Sequence, residues 1–176
     1  MKKTQLIISI LGLLLSPQVV HAKGETYFGL AMLNSTYAAE GNDHHATGIV
    51  GRLGYDFSRH FALETHFGGD VGQESNVSPN FGRARIVDMY SAFLCVNSYF
   101  GNKRVYALGG VSRGTRELTA PGSTVATRDS GSTKSYGLGL EAYENDDISF
   151  QLEWVRYFDS RFYQVDAWNL GLVTRF

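Results

Sequence analysis

The amino-acid sequence predicts an all-β fold: eight antiparallel strands that run up and down and close into a transmembrane barrel. Three observations predict it. The chain opens with the layout of a secretory signal. The rest alternates apolar and polar residues segment after segment, with almost no three-to-four residue periodicity. The connections between those segments alternate between long polar loops and tight turns. Only three prolines interrupt the chain, against 20 glycines and 13% aromatic residues, which suits uninterrupted hydrogen-bonded ladders. No stretch after the signal is apolar enough to cross a bilayer as a helix. A membrane-embedded form must therefore be a closed set of strands, because lipid offers no partner to an unpaired backbone group.

In "MKKTQLIISILGLLLSPQVVHA" Lys2 and Lys3 precede an apolar run from Leu6 to Leu15, shorter than the roughly 20 residues of a membrane-spanning helix. Val20-His21-Ala22 supplies a cleavage site, so the expected organisation is a signal peptide over 1–22 and one barrel domain over 23–176. The net charge of the whole chain is −1, which excludes the basic excess of a nucleic-acid binder. The single cysteine, Cys95, excludes an intrachain disulfide framework and lies too far from the signal to be a lipidated first residue; it reads as a small buried side chain.

The strands follow in order. The first starts near Tyr27, with Phe28, Leu30 and Met32 outward. In "GIVGRLGYDF", Ile49, Leu53, Tyr55 and Phe57 oppose Arg52, Gly54 and Asp56; in "FALETHF", Phe61, Leu63, Thr65 and Phe67 oppose Ala62, Glu64 and His66. The strand near Met89 turns Tyr90, Ala92, Leu94 and Val96 outward. The one near Val105 is ambiguous, since Tyr106 and Leu108 compete with Val105, Ala107 and Val111 for the apolar face. In "YGLGLEAY", Tyr136, Leu138, Leu140 and Ala142 oppose Gly137, Gly139, Glu141 and Tyr143. In "ISFQLEWVRYF", Ile148, Phe150, Leu152, Trp154 and Phe158 oppose Ser149, Gln151, Glu153 and Tyr157. In the closing "AWNLGLVTRF", Trp168, Leu170, Leu172, Thr174 and Phe176 oppose Asn169, Gly171, Val173 and Arg175.

The connections "AAEGNDHHA", "QESNVSPNFGR" and "ELTAPGSTVATRDSGST" are the long ones and "SRH", "GNK" and "NDD" the tight ones, as in a barrel with external loops and periplasmic turns. A soluble barrel would hide its apolar face. Here the apolar face is the broader, aromatic-rich one, and the opposite face carries Arg52, Glu64, Glu141, Glu153 and Arg175 among glycines, which suits a narrow polar interior. Trp154, Trp168 and Phe176 read as aromatics at the lipid–water interfaces. Trp168 and Phe176 are roughly 26 Å apart at about 3.3 Å per residue, so they can mark the two interfaces.

The segments "LGYDFSRHFALETHFG", "VYALGGVSRG" and "FQLEWVRYF…WNLGLVTRF" resemble strands and turns of the small eight-stranded outer-membrane barrels, the OmpA transmembrane-domain, OmpX and Ail-like group filed as porin-family proteins. The resemblance covers nearly the whole chain after the signal. It implies an outer-membrane location and an interior plugged by acids and bases, in which Glu64 matches the family's acid on the third strand and Glu141 its acid on the sixth. The family's arginine on the seventh strand is Gln151 here and its lysine on the fourth is Asn97, which leaves Arg52 and Arg175 to neutralise Glu64, Glu141 and Glu153. Such a cluster serves as a structural polar core, or as a gate or proton path. The resemblance also implies that Phe176 is read by the barrel-assembly machinery.

Catalysis is not expected. Barrel enzymes acting on lipid A need a serine nucleophile and a histidine base. His66 points inward beside Glu64 and Asp70, and His60 lies in a turn, neither with a serine at such spacing. Asp43, His44 and His45 in "NDHH" could ligate a transition metal but read as a solvated loop, so no metal site and no cofactor are expected. The glycines of "GIVGRLG" lie in a strand with no following helix and read as interior packing rather than a phosphate loop. Arg113, Arg116, Arg128 and Lys134 gather around the third long loop, where they could contact lipopolysaccharide phosphates. The expected protein is a monomeric, non-enzymatic surface barrel without a wall-binding domain, serving envelope integrity or contact with a surface ligand. A narrow channel for ions or small solutes, and a lipid A-modifying enzyme, are the other classes.

Overall fold

The computed structural model describes residues 24–39, 42–73, 83–119, 126–159 and 164–176. They form eight strands: β1 (Glu25–Ala39), β2 (Asn42–Asp56), β3 (Phe61–Gln73), β4 (Arg83–Phe100), β5 (Lys103–Thr119), β6 (Ala126–Tyr143), β7 (Ile148–Asp159) and β8 (Gln164–Arg175). Each pairs antiparallel with its neighbour in sequence, and β1 pairs with β8, so the sheet closes with no free edge around its waist. The pairing that closes it runs from Tyr27 opposite Arg175 to Ala38 opposite Gln164. The expected signal peptide lies outside the described residues.

The period-2 alternation is realised as an inside-out sorting. Leu30, Met32, Leu138, Leu170 and Leu172 are exposed on the outer wall, while Arg52, Glu64, Glu141 and Glu153 are buried within. Near the short turns the outer wall carries Tyr55, Phe57, Phe61, Phe100, Phe150 and Phe176, the last 74% exposed. Toward the other end it carries Phe67, paired with Tyr90, and Trp154, paired with Trp168 and packed edge-on against Tyr136 at 6.1 Å. Two aromatic belts flanking an aliphatic band is the surface that a bilayer's hydrocarbon and interfaces select.

The fifth strand resolves its ambiguity in favour of Val105, Ala107 and Val111 outside, with Tyr106 and Leu108 buried. Two expectations are corrected. Phe158 is buried, at 2% exposure, rather than on the lipid side; a register shift between Arg156 and Phe158 inserts one residue and puts both Tyr157 and Phe158 inside. Much of the expected long loops is strand: β1 and β2 continue to a connection at 40–41, and β5 and β6 pair as far as Thr119 opposite Ala126. β4, β5 and β6, at 18, 17 and 18 residues, outrun the 12 of β7 and β8. About 9 to 11 residues suffice to cross a bilayer, so the longer strands project beyond it.

The short-turn end is built tightly. Gly101 has a φ of 59°, the left-handed value that a two-residue hairpin turn between Phe100 and Lys103 requires. Asn145 Oδ1 accepts from the backbone N–H groups of Asp147 and Ile148 in the 144–147 turn. Inside, glycines face aromatic rings across the ladder. Tyr27 lies over Gly54, its cross-strand partner, and Tyr106 over Gly139; a Cβ at either glycine would fall 2.1 Å from a ring carbon. We expect Gly139→Ala to lower folding stability by about 1–3 kcal/mol, the scale of overpacking, as read by the urea midpoint of heat-modifiable gel migration. Gly109→Ala, where a Cβ meets nothing within 4 Å, should leave that midpoint unchanged.

Candidate functional site

Charges accumulate in the half of the interior nearest the short turns, in two layers. In the lower one, Arg104 Nη1 donates to Glu141 Oε2 at 2.9 Å and Nη2 to Asn97 Oδ1 at 2.9 Å. Arg175 Nη1 donates to Glu141 Oε1 at 2.5 Å, and the Ser149 hydroxyl donates to the same oxygen. Asp56 lies 3.9 Å from Arg104 and accepts from Asn97 Nδ2. In the upper layer Arg52 pairs with Glu64, lies 3.9 Å from Glu153 Oε2 and donates to the Tyr106 hydroxyl at 3.1 Å. Tyr106 donates in turn to Glu153 at 2.8 Å, and Tyr27 to Glu64 at 2.5 Å.

The rings of Tyr27 and Tyr106 separate the layers. The Arg104 guanidinium stands 5.3 and 4.7 Å from their centroids, and that of Arg52 stands 5.5 and 5.4 Å away. Each cation is thus held by carboxylates at its edge and by aromatic faces alongside. Three arginines face three glutamates and Asp56, all buried. A buried carboxylate stripped of its partner costs several kcal/mol, so the pairing is a condition of folding and not a decoration.

The expected cluster of Arg52, Glu64, His66, Glu141, Gln151, Glu153 and Arg175 all points inward. Sequence reasoning missed Arg104, on β5. Where the resemblance leads one to expect a base on the seventh strand, Gln151 is buried beside Glu141, and the cation arrives from the fifth instead. The signal was there: Arg104 shares its parity with Tyr106 and Leu108, and once those are inside, Arg104 must be as well.

Above these layers His66 Nε2 donates to Glu64 Oε1 at 2.6 Å, and its Nδ1 lies 2.8 Å from the Tyr157 hydroxyl. Asn169 Nδ2 donates to Tyr157 at 3.0 Å and to Glu153 Oε1 at 2.9 Å. Asp70, expected beside His66, lies farther up the strand, where it accepts from Ser35 and from the backbone N–H of Ile86. The half of the interior farther from the short turns then turns apolar, with Leu33, Val50, Met89, Phe93, Phe158 and Val165 all buried. A row of serines, Ser91, Ser112 and Ser135, links at 2.6 Å per step and ends on the Tyr157 carbonyl at 2.8 Å.

This interior has little to offer chemically. Among the described residues no serine hydroxyl bonds to a histidine ring. Glu64, His66 and Glu153 bring ligand atoms within 4.8 Å of one another. Those atoms are already engaged by Arg52, Tyr27, Tyr106 and Asn169, and a guanidinium beside two of the carboxylates repels a second cation. Of the "NDHH" stretch, the side chains of Asp43 and His44 lie outside the described residues; His45 is exposed and bonds to Thr36.

The basic residues separate into two kinds. Arg128 is exposed but paired with Glu117 at 3.1 Å. Arg156, on the outer wall above the tryptophans, is paired with Asp166 at 2.6 Å and lies over the rings of Tyr136 and Trp154. Arg113 and Lys134 are exposed on strands rather than in a loop, with no ion pair among the described residues. The side chain of Arg116 lies outside the described residues. We expect Arg104→Met to cost about 3–5 kcal/mol of stability, the scale of a broken buried pair. Arg128→Ala, which breaks an exposed pair, should cost less than about 1 kcal/mol by the same urea titration.

Comparison with curated proteins by sequence finds no match. Comparison of structures finds the same fold repeatedly. Ail, the attachment invasion locus protein of Yersinia pestis, superposes with a TM-score of 0.64 at 18% identity, over 87% of this chain and 99% of that one. The outer membrane protein OprG of Pseudomonas aeruginosa gives 0.60 at 11% identity, over 87% and 96%. Neisserial surface protein A gives 0.61 at 9%, over 85% and 95%. At such identities the likeness is one of fold. Residues 6–176, nearly the entire chain, match the family described as outer membrane protein beta-barrel domain. A closed, inside-out barrel of eight strands and this match together place the chain in the outer membrane protein beta-barrel family.

Proposed function

We propose that this protein is a non-enzymatic surface barrel, exported by its N-terminal signal and folded into the outer membrane through recognition of Phe176 by the barrel-assembly machinery. It contributes to envelope integrity and contacts ligands outside the cell through the ends of its long strands. The observation that carries the reading is the contrast between the two parts of the molecule. The interior is filled by ion pairs below and apolar side chains above, while β4, β5 and β6 extend past bilayer length on the side away from the short turns. A tight turn end in the periplasm and projecting strands outside is the usual orientation of such barrels.

Ail has been crystallised in complex with the heparin analogue sucrose octasulfate. That likeness of fold supports a polyanionic surface ligand here. The lipid-facing Arg113 and Lys134 support a contact with lipopolysaccharide. The filled interior favours this reading over a channel.

Replacing residues 115–130 by a two-residue turn should leave the barrel heat-modifiable and in the outer-membrane fraction while abolishing adherence of expressing cells to immobilised heparin. Adherence equal to that of the intact protein would refute the surface reading. Purified protein in planar bilayers should show no steps of conductance; regular single-channel openings would restore the channel reading.

A further inference from the structure

Counted layer by layer, the buried side chains do not balance in charge. The lower layer sets Arg104 and Arg175 against Glu141 and Asp56, two guanidinium groups for two carboxylates. The upper layer sets Arg52 alone against Glu64 and Glu153. Both of these glutamates are only 1% exposed, so bulk water does not offset the second negative charge. The upper layer lacks one positive charge.

Neither carboxylate of that layer has room for a proton of its own. Tyr106 accepts from Arg52 Nη1, so its hydrogen goes to Glu153 Oε2, and the Asn169 amide donates to Glu153 Oε1. Glu64 Oε2 accepts from Tyr27 and pairs with Arg52. Only Glu64 Oε1 is left, and it lies 2.6 Å from His66 Nε2. The titratable and charged groups around that ring are Tyr27 on β1, Arg52 on β2, Glu64 on β3, Cys95 on β4, Tyr106 on β5, and Glu153 and Tyr157 on β7. β6 presents Gly139 at this level and β8 Asn169, neither of which ionises. Among the described residues, His66 is therefore the one group of the layer able to become its second cation.

We propose that His66 is an imidazolium in the folded barrel and that the upper layer is a proton-binding site. The charged ring donates from Nε2 to Glu64 and from Nδ1 to the Tyr157 oxygen, 2.8 Å away, which also accepts from Asn169. The Tyr157 hydrogen is then without an acceptor among the described residues. An unpaired hydroxyl hydrogen in the interior costs less than an uncompensated charge there. A metal ion would have to displace the bonds around Glu64 and Glu153, whereas a proton on the ring keeps them and sits across Glu64 from the guanidinium.

The fold is thereby linked to pH. In the unfolded chain His66 meets water, where a histidine discharges above about pH 6.5. Above that pH the folded barrel holds one proton more than the unfolded chain. This contribution to stability is full below it, and is lost as the pH rises and the folded barrel gives the proton up.

The test compares the intact protein with His66→Gln, which keeps a donor for Glu64 and cannot be charged, by urea titration in lipid vesicles between about pH 6 and pH 9. The intact protein should be the more stable in acid, and the ratio of the two folding constants should close by about tenfold per pH unit where only the folded barrel is protonated. A gap indifferent to pH would mean that the ring merely packs, and would overturn the proposal. Nitrogen NMR of the histidine-labelled intact protein at about pH 7.5 reads the ring without relying on that variant. Both ring nitrogens of His66 should carry hydrogen; one bare nitrogen would sink the assignment. Glu153→Gln removes the second negative charge and should return the ring to its neutral form at the same pH. An imidazolium that persists in Glu153→Gln would refute the charge balance from which the site is inferred.

Discussion

Three arginines, three glutamates and Asp56 share the inside of a barrel too narrow to hydrate them separately, and the rest of the structure is arranged to keep them paired. Charges this deeply buried are tolerated only beside a counter-charge with most of the remaining donors and acceptors engaged, and here Arg52 Nε and Arg104 Nε are the donors left without a hydrogen-bond partner together with Arg175 Nη2. Glu141 satisfies this with Arg104, Arg175 and Ser149, and Glu64 with Arg52, Tyr27 and His66. The glycines follow from the same constraint. Tyr27 and Tyr106 can lie flat between the two charged layers because Gly54 and Gly139 opposite them have no Cβ. The polar interior, the ring stacking and the glycine content are one solution to one problem.

Ion pairs fill the part of the interior nearest the short turns, and Leu33, Val50, Met89, Phe93, Phe158 and Val165 fill the part beyond them. Differences between one small barrel and another then concentrate where the interior has no say: on the projecting strands and on the wall that lipid touches. A furrow floored by the small residues Thr65 and Ala92, and the exposed Arg113 and Lys134, which hold no ion pair among the described residues, lie on that wall and face away from the core.

Most of the barrel was legible in the sequence, since lipid outside and charge inside impose a strict alternation on strands such as Phe61–Phe67 and Tyr136–Ala142. Three features were not. Arg104 went unnoticed because Tyr106 and Leu108 are as apolar as the lipid-facing residues beside them, and polarity could not assign the face of β5. Phe158 was placed outside because a bulge shifts parity by one residue and leaves no mark in composition. The strand extensions of β5 and β6 read as loops because, beyond the bilayer, both faces of a strand meet water and nothing selects alternation. Within the interior, Glu64 and Glu141 could be found by resemblance. Two of their partners, Arg52 and Arg175, could be found from the inward parity of β2 and β8; Arg104 could not, because polarity left the face of β5 open.

A filled interior should exclude water-borne solutes, and the protein carries its own reporter of that. Cys95 is buried on the inner face of β4, one strand away from Glu64 and among the charged layers. The most direct measurement is the rate at which a small, charged thiol reagent modifies Cys95 in the folded barrel and in the heat-unfolded chain. With the interior filled, the thiol should stay unmodified while the barrel migrates as folded and react on unfolding. Modification of the folded barrel at the rate of the unfolded chain would mean a hydrated lumen, and would contradict it.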